Sequence, residues 1–214
     1  APEAWQARAH DDSAWSKAGP ARIVPPCHPW VTGPAVQLRR AFRLDKPAAR
    51  ARLYATALGG YEARLNGRKV GDGVLAPEST DFRTRALYRT YEVTGLLRTS
   101  DNVLGAIVGD GWFASPFGFL DMRYAFGPPP RRFSALLDVE HKDGTRTRIQ
   151  TDGQGWRLAA SPVVLSEIYD GETYDARLEQ AGWDAVYGNV AMLVGTTMAL
   201  PALPRGQSDF WCRR

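Results

Sequence analysis

Apolar and polar residues alternate along much of the chain from residue 36 onward, which is the period of strands with one buried face. The alternating apolar series are Val36, Leu38, Phe42 and Leu44; Ala51, Leu53, Ala55 and Ala57; Tyr61, Ala63 and Leu65; and Phe133, Ala135, Leu137 and Val139. Residues 103–108 instead form a continuous apolar run, which predicts a strand buried on both faces. Further strands are predicted around residues 91–93, 145–151 and 163–168, so about eight short strands are expected between residues 36 and 175.

Two dipeptides mark the sharpest predicted turns. Asn66-Gly67 and Asp143-Gly144 each follow an alternating series, and both pairs are typical of tight β-hairpins. A stretch with helical periodicity longer than about two turns is not found. These features predict an all-β protein, a jelly-roll β-sandwich of about eight strands.

The regions outside the alternating pattern predict the domain boundaries. Residues 1–35 are rich in Pro, Ala and Trp and are expected to form an irregular lead-in packed on the sandwich, which spans residues 36–183. Residues 184–214 lose the pattern and are expected to be a linker or tail, with an added edge strand at residues 190–194 as the alternative.

Composition narrows the classes of partner. The chain has 214 residues, of which 44% are hydrophobic, and its net charge of +4 comes from dispersed arginines rather than from a basic stripe. We therefore expect no nucleic-acid partner. An apolar run of the ~18 residues that cross a membrane is also absent from the sequence, so we expect no membrane partner and a soluble protein, either secreted, periplasmic or cytoplasmic.

Cysteine and histidine spacing gives no sign of a structural zinc site. Cys27 and Cys212 lie near opposite ends of the chain and belong to no C-x-x-C pair. Two free thiols are favoured over a single long-range disulfide, but the sequence leaves the pairing open.

Three segments in this order carry a resemblance to a known family. They are LRRAFRLDKPAARARLYATALGGYEARLNGRKVGDGVLAPESTDFRTRALYRTYEVTGLL (38–97), DNVLGAIVGDGWF (101–113) and IYDGETYDAR (168–177). Together they resemble the N-terminal β-sandwich module of bacterial α-L-rhamnosidases, over roughly residues 36–183. Such enzymes remove terminal rhamnose from plant glycosides and polysaccharides with inversion, using two carboxylates of a separate helical barrel. That barrel and its carboxylate pair do not map onto this chain, so the resemblance implies a substrate-recognition or scaffold module.

The glycine-rich loop around Trp112 is the strongest candidate for a sugar site. An aromatic ring stacks on the C–H face of a pyranose, and carboxylates, phenols or guanidinium groups bind its hydroxyls. We expect Trp112 to be the stacking platform for terminal rhamnose or a related sugar. The expected polar contacts are Asp110, Asp121, Arg123, Glu172 and Tyr174. In the alternative interpretation Trp112 is a core or interface residue, Asp110 caps a turn, and residues 169–177 form an interdomain latch through Arg177.

The resemblance implies one candidate cofactor, calcium, because some relatives bind rhamnose through a calcium ion. Residues 57–60 carry no oxygen-bearing side chain, so such a site would have to use other oxygens. The candidate ligands are Asp170, Glu172 and Asp175.

Three functions remain open at this point. The first is a carbohydrate-binding module whose catalytic domain belongs to the same parent polypeptide. The second is a small self-sufficient glycoside hydrolase with two catalytic carboxylates. Its candidate acid and base are Asp110, Asp121, Glu172 and Asp175. The third is a scaffold that binds no sugar and exposes an apolar patch to a partner domain. The tryptophans expected in that patch are Trp5, Trp15, Trp30 or Trp183.

Overall fold

Two antiparallel sheets stack face to face in the computed structural model, which describes residues 34–115, 126, 131–169 and 171–186. The strands of the described residues are β1 (Val36–Arg43), β2 (Ala48–Leu58), β3 (Gly60–Leu65), β4 (Arg68–Lys69), β5 (Arg89–Glu92), β6 (Asp101–Gly109), β7 (Arg132–His141), β8 (Arg146–Gln150), β9 (Trp156–Ala160), β10 (Val163–Glu167) and β11 (Gly171–Tyr174). One sheet has the order β4-β3-β6-β1-β9 and the other β5-β2-β7-β8, while β10 and β11 pair separately. The helical pieces are short: α1 (Gly111–Ala114) and 3₁₀ turns at Thr94–Leu96 and Ala176–Leu178.

The core lies between the two sheets and consists of the alternating series predicted from the sequence. Leu53 of β2 pairs with Leu137 of β7, and both are fully buried against the facing sheet, where Leu104 of β6 is also fully buried. Val36 and Phe42 are half-buried and pack at the margin of the same core. The alternation of apolar and polar residues therefore predicted correctly which side chains face the core, because successive side chains of a strand point to opposite faces.

Both predicted hairpins are confirmed. Asn66 and Gly67 have φ angles of 53° and 82°, the pair of positive values that a type I′ turn requires between β3 and β4. Between β7 and β8 the backbone N–H of His141 donates to the carbonyl of Thr145 at 2.8 Å, and Gly144 takes the positive φ of 81°.

The strand at residues 103–108 is covered on its second face by the segment that follows β11. Trp183 packs so closely over Gly105 that a Cβ there would lie 2.9 Å from the indole ring. Arg64 donates to the carboxylate of Asp184, and the N–H of Gly67 donates to the Asp184 carbonyl at 2.8 Å. The predicted two-sided burial of this strand is therefore confirmed.

The all-β sandwich is confirmed, with more strands than expected. β4 has two residues, the central residues of β9 are half-buried, and β11 is fully exposed, so none of the three shows the strong alternation that identified the others.

The jelly-roll winding and the domain boundaries at residues 35 and 183 stay predictions. Cys27, Cys212, Trp5, Trp15 and Trp30 lie outside the described residues. In the described part of the chain, the helices are far too short to cross a bilayer.

Candidate functional site

The loop that carries Trp112 begins where β6 ends and is held by a close backbone crossing. Gly111 has a φ of 52°, and a Cβ at this position would overlap the backbone of Gly59 and Gly60. The absence of a side chain therefore lets α1 start directly against the beginning of β3. This crossing sets the direction in which Trp112 leaves the sheet.

A buried ion pair lies behind the loop. The Nε atom of Arg131 donates to Oδ1 of Asp110 at 2.5 Å, and its Nη1 atom donates to the carbonyl of Pro34 at 2.9 Å. The side chains are 0% exposed for Asp110 and 7% exposed for Arg131. The pair thus connects the end of β6 to the residues preceding β7 and β1, and it supports the Trp112 loop from inside. Direct contact of Asp110 with a sugar stays a prediction, and in this structure its carboxylate is fully covered.

Trp112 itself is half-buried against a small apolar cluster that is separate from the main core. This cluster, the Phe82 cluster, consists of Phe82, Phe113 and Ala114. The Phe82 and Phe113 rings meet edge to face at 5.6 Å. One part of Trp112 is thereby fixed by packing while another part remains accessible, which suits a stacking platform.

A polar rim borders the Phe82 cluster. The guanidinium of Arg83 lies 5.7 Å from the centroid of the Phe126 ring, which packs against the cluster. Its Nε atom also donates to Asp81 at 2.8 Å, and this hydrogen bond lowers the pKa of the Asp81 carboxyl. Asp81 therefore stays ionised in neutral solution.

The β10–β11 pair packs against the same end of the sandwich. The Ser166 side chain occupies the space over Gly109, three residues before Trp112, and the N–H of Ile168 donates to Oγ of Ser115 at 3.4 Å. Glu172 pairs with Ser166 across the two strands and is exposed. The structure therefore brings Glu172 to the end of the molecule where Trp112 lies.

The polar residues after Glu172 bind their own neighbours. The hydroxyl of Tyr174 donates to Glu179 at 2.7 Å, and this bond raises the pKa of the phenol. Arg177 donates to Asp175 from Nη2 at 2.6 Å and from Nε at 2.8 Å, and it lowers the pKa of that carboxyl. The pairing expected of Arg177 in an interdomain latch is thus made locally in this structure.

Several predicted residues cannot be placed. Asp121, Arg123 and Asp170 lie outside the described residues. Within the ranges that are described, no three His, Cys, Asp or Glu side chains gather closely enough to hold a metal ion. A calcium site at Asp170, Glu172 and Asp175 stays a prediction.

Comparison with known proteins identifies the family. The model of the α-L-rhamnosidase N-terminal domain matches residues 46–202. The chain belongs to this family. An α-L-rhamnosidase of Streptomyces avermitilis is 46% identical over 191 residues, covering 85% of this chain and 18% of that protein. One from Formosa agariphila is 37% identical over 154 residues, covering 70% of this chain and 16% of the relative.

Solved structures agree with this membership. The Streptomyces avermitilis α-L-rhamnosidase complexed with L-rhamnose matches with a TM-score of 0.69 and 49% identity, over 72% of this chain and 15% of that one. The native enzyme from Aspergillus terreus matches with a TM-score of 0.70 and 35% identity, over 87% of this chain and 20% of that one. The resemblance inferred from the sequence is confirmed, and the rhamnosidase N-terminal domain spans a fifth or less of each of these relatives.

Sequence reasoning overlooked the partner of Asp110. Arg131 was one of many scattered arginines. It stands two residues before Phe133 and four before Ala135, so it continues their series of buried, core-facing positions. A charged residue in such a core-facing series predicts a buried ion pair, because burying a charge without a partner is unfavourable in free energy. That signal identifies Arg131 as a structural residue of this rhamnosidase domain.

Proposed function

We propose that this rhamnosidase N-terminal domain recognises a terminal L-rhamnose or a related sugar of a glycan. The observation that carries the proposal is the placement of Trp112, half-buried on the Phe82 cluster at the end of the sandwich where Glu172 is exposed. The Streptomyces avermitilis relative was solved in complex with L-rhamnose, which agrees with this class of ligand.

The chemistry of the site suits a deoxy sugar. The indole ring offers apolar area to the C–H face and to the methyl group of rhamnose. The exposed carboxylate of Glu172 accepts hydrogen bonds from sugar hydroxyls, and the Tyr174 phenol offers a further polar contact. Asp121 and Arg123 complete the proposed polar set. The buried Asp110–Arg131 pair supports the loop that carries Trp112.

Binding is better supported than hydrolysis by this chain alone. A general acid for glycoside cleavage needs a raised pKa. Asp110 is fully covered by its pairing with Arg131, and the pKa of Asp175 is lowered by Arg177. We therefore assign rhamnoside cleavage to a catalytic domain elsewhere in the parent polypeptide, consistent with the small share of each relative that the chain covers.

A second role, contact with that catalytic domain, is favoured by one exposed apolar loop. Val74 is 74% exposed and Leu75 is 55% exposed. Leu75 also has a φ of 55°, an unfavourable angle for a leucine. Exposed large apolar residues held in a fixed loop are typical of interaction surfaces. We propose that this loop packs against the catalytic domain while the Trp112 end binds sugar.

Isothermal titration calorimetry of the full 214-residue chain with methyl α-L-rhamnoside tests the binding role. We expect weak, enthalpy-driven binding, and a loss of roughly tenfold or more for Trp112→Ala, because a lost stacking contact contributes on the order of 1.5 kcal/mol. Trp112→Phe keeps an aromatic ring and should retain part of the affinity. Equal affinities for the original chain and the alanine variant, both folded, would remove Trp112 from the site.

A further inference from the structure

A groove of about 260 Å³ crosses the outer face of the sheet β5-β2-β7-β8. It is lined by Tyr54, Ala55, Thr56, Tyr88, Ser134, Ala135 and Leu136. The volume lies just below the roughly 300–1,000 Å³ range of small-molecule pockets. The groove therefore has room for one small ring or a short stretch of a longer ligand.

The strand register explains why a groove forms at this place. On the outer face Tyr54 pairs with Leu136, and two residues further on Thr56 pairs with Ser134. A row of small side chains thus lies beside a row of large ones. Tyr88 closes the side at the sheet margin, where Oγ1 of Thr56 donates to the Leu87 carbonyl at 2.6 Å.

Two tyrosine rings at an angle to each other line the groove, together with the side chains of Thr56 and Ser134. The ring centroids are 6.2 Å apart, with ring planes at 55°, and Tyr88 is 40% exposed. The Ser134 hydroxyl accepts a hydrogen bond from Oγ1 of Thr151 at 3.4 Å. Aromatic faces beside hydroxyl groups offer both contacts that a pyranose needs, one for its C–H face and one for its hydroxyls.

The uncharged lining of the groove favours a neutral ligand. The residues that line this groove carry no formal charge at neutral pH. The nearest acidic residue along β7 on the same face, Asp138, accepts hydrogen bonds from Arg146 at 3.2 Å and Arg148 at 3.1 Å. Two arginines, Arg52 and Arg132, flank the lining residues on the outer face and are exposed to solvent. The lining itself offers no counter-charge to an ionic ligand, whereas a neutral sugar needs none.

The groove also lies in line with the Trp112 site. Leu58 follows Tyr54 on the same face of β2, about 13 Å further along at about 3.3 Å per residue. Leu58 packs against the Phe82 cluster, on which Trp112 also rests. A single sugar ring is too short to contact both positions, whereas an oligosaccharide is long enough.

We propose that the Tyr54–Tyr88 groove is a second carbohydrate subsite, which binds an inner unit of a neutral oligosaccharide. It is a site on the sheet face, separate from the proposed rhamnose position at Trp112. Since β2 is paired on both sides by β5 and β7, its backbone offers no free edge to an extended peptide. Side-chain stacking and hydroxyl contacts are the interactions that this face provides.

The test compares ligands of different length on the full chain. Calorimetry is carried out with methyl α-L-rhamnoside, with a tetrasaccharide of α-linked L-rhamnose and with cellotetraose. At least one tetrasaccharide should bind the original chain tighter than the monosaccharide. Tyr88→Ala should weaken that tetrasaccharide by roughly three- to tenfold, as expected for one lost aromatic contact, and leave monosaccharide affinity unchanged. Tyr88→Phe keeps the ring and should remain close to the original chain.

A second variant fills the groove without removing either ring. Ser134→Leu adds an apolar side chain on the outer face and should weaken the tetrasaccharide as Tyr88→Ala does, with urea unfolding confirming that both variants are folded. Tetrasaccharides that bind no tighter than the monosaccharide, or an unchanged affinity in both variants, would overturn the proposal. Loss of binding in Tyr88→Ala but not in Trp112→Ala would instead remove the Trp112 site and leave the groove standing.

Discussion

The buried pair between Asp110 and Arg131 permits a quantitative prediction for Arg131→Met. Methionine retains much of the apolar volume of the arginine stem but removes the guanidinium, which leaves the fully covered Asp110 carboxylate without its counter-charge. Breaking a buried ion pair by removing one partner costs about 3–5 kcal/mol. The bond from Arg131 to the Pro34 carbonyl is lost in the same variant and is included in this range.

Urea unfolding followed by tryptophan fluorescence measures the loss. With a slope of about 2 kcal/mol per molar urea, a loss of about 4 kcal/mol lowers the midpoint by about 2 M. The double variant Asp110→Asn, Arg131→Met should recover part of this stability, because no charge is then left buried. Asp152→Asn is the matched control at the more exposed Arg40–Asp152 pair, where the change should be about 1 kcal/mol or less.

A midpoint for Arg131→Met no lower than that of Asp152→Asn would refute the reasoning. It would mean that water reaches Asp110 and that the pair is not the internal support of the Trp112 loop. The loss of stability in Arg131→Met should also affect sugar binding. A destabilised loop should also weaken methyl α-L-rhamnoside binding.

Two further predictions concern the core and the exposed loop. Burial raises the pKa of Tyr61, whose hydroxyl donates to the Ala55 carbonyl at 3.0 Å. A folded-state pKa above the unfolded value near 10 means that stability falls as pH rises beyond about 10. Tyr61→Phe should flatten that fall in urea unfolding at pH 9 to 11 and cost about 1–2 kcal/mol at pH 7; an unchanged alkaline slope contradicts the assignment. Replacing Val74 and Leu75 by serine should reduce association with a separately produced rhamnosidase catalytic domain in analytical ultracentrifugation, with equal association arguing against this loop as the contact.

Much of the fold followed from local patterns. The rows Ala51 to Ala57 and Phe133 to Val139 were identified from alternation alone, because the face on which a strand residue lies depends only on its neighbours in sequence. The turn at Asn66-Gly67 was equally local, since positive φ angles depend on the residues that adopt them. The short β4 and the exposed β11 were not predicted, because strands without buried residues show no alternation of apolar and polar positions.

The candidate site was predictable in part. The residue types around Trp112 and Glu172 indicated sugar chemistry, and the structure brings these two segments to one end of the sandwich. The pairing of Asp110 with Arg131, 21 residues further along, depends on which strand ends meet, and a single sequence does not encode that in any local period. The Tyr54–Tyr88 groove likewise arises from the register of β2 with β7.

The sequence by itself determined that this chain is a β-sandwich of the rhamnosidase N-terminal type, with its inward rows and hairpins in place. Tertiary structure alone decided that Asp110 is buried and paired with Arg131, and that Ser166 packs over Gly109. The physical reason is the separation along the chain of the residues that determine each property. Side-chain direction within a strand is set over two or three residues, whereas a binding surface requires contacts between segments that are distant in the chain.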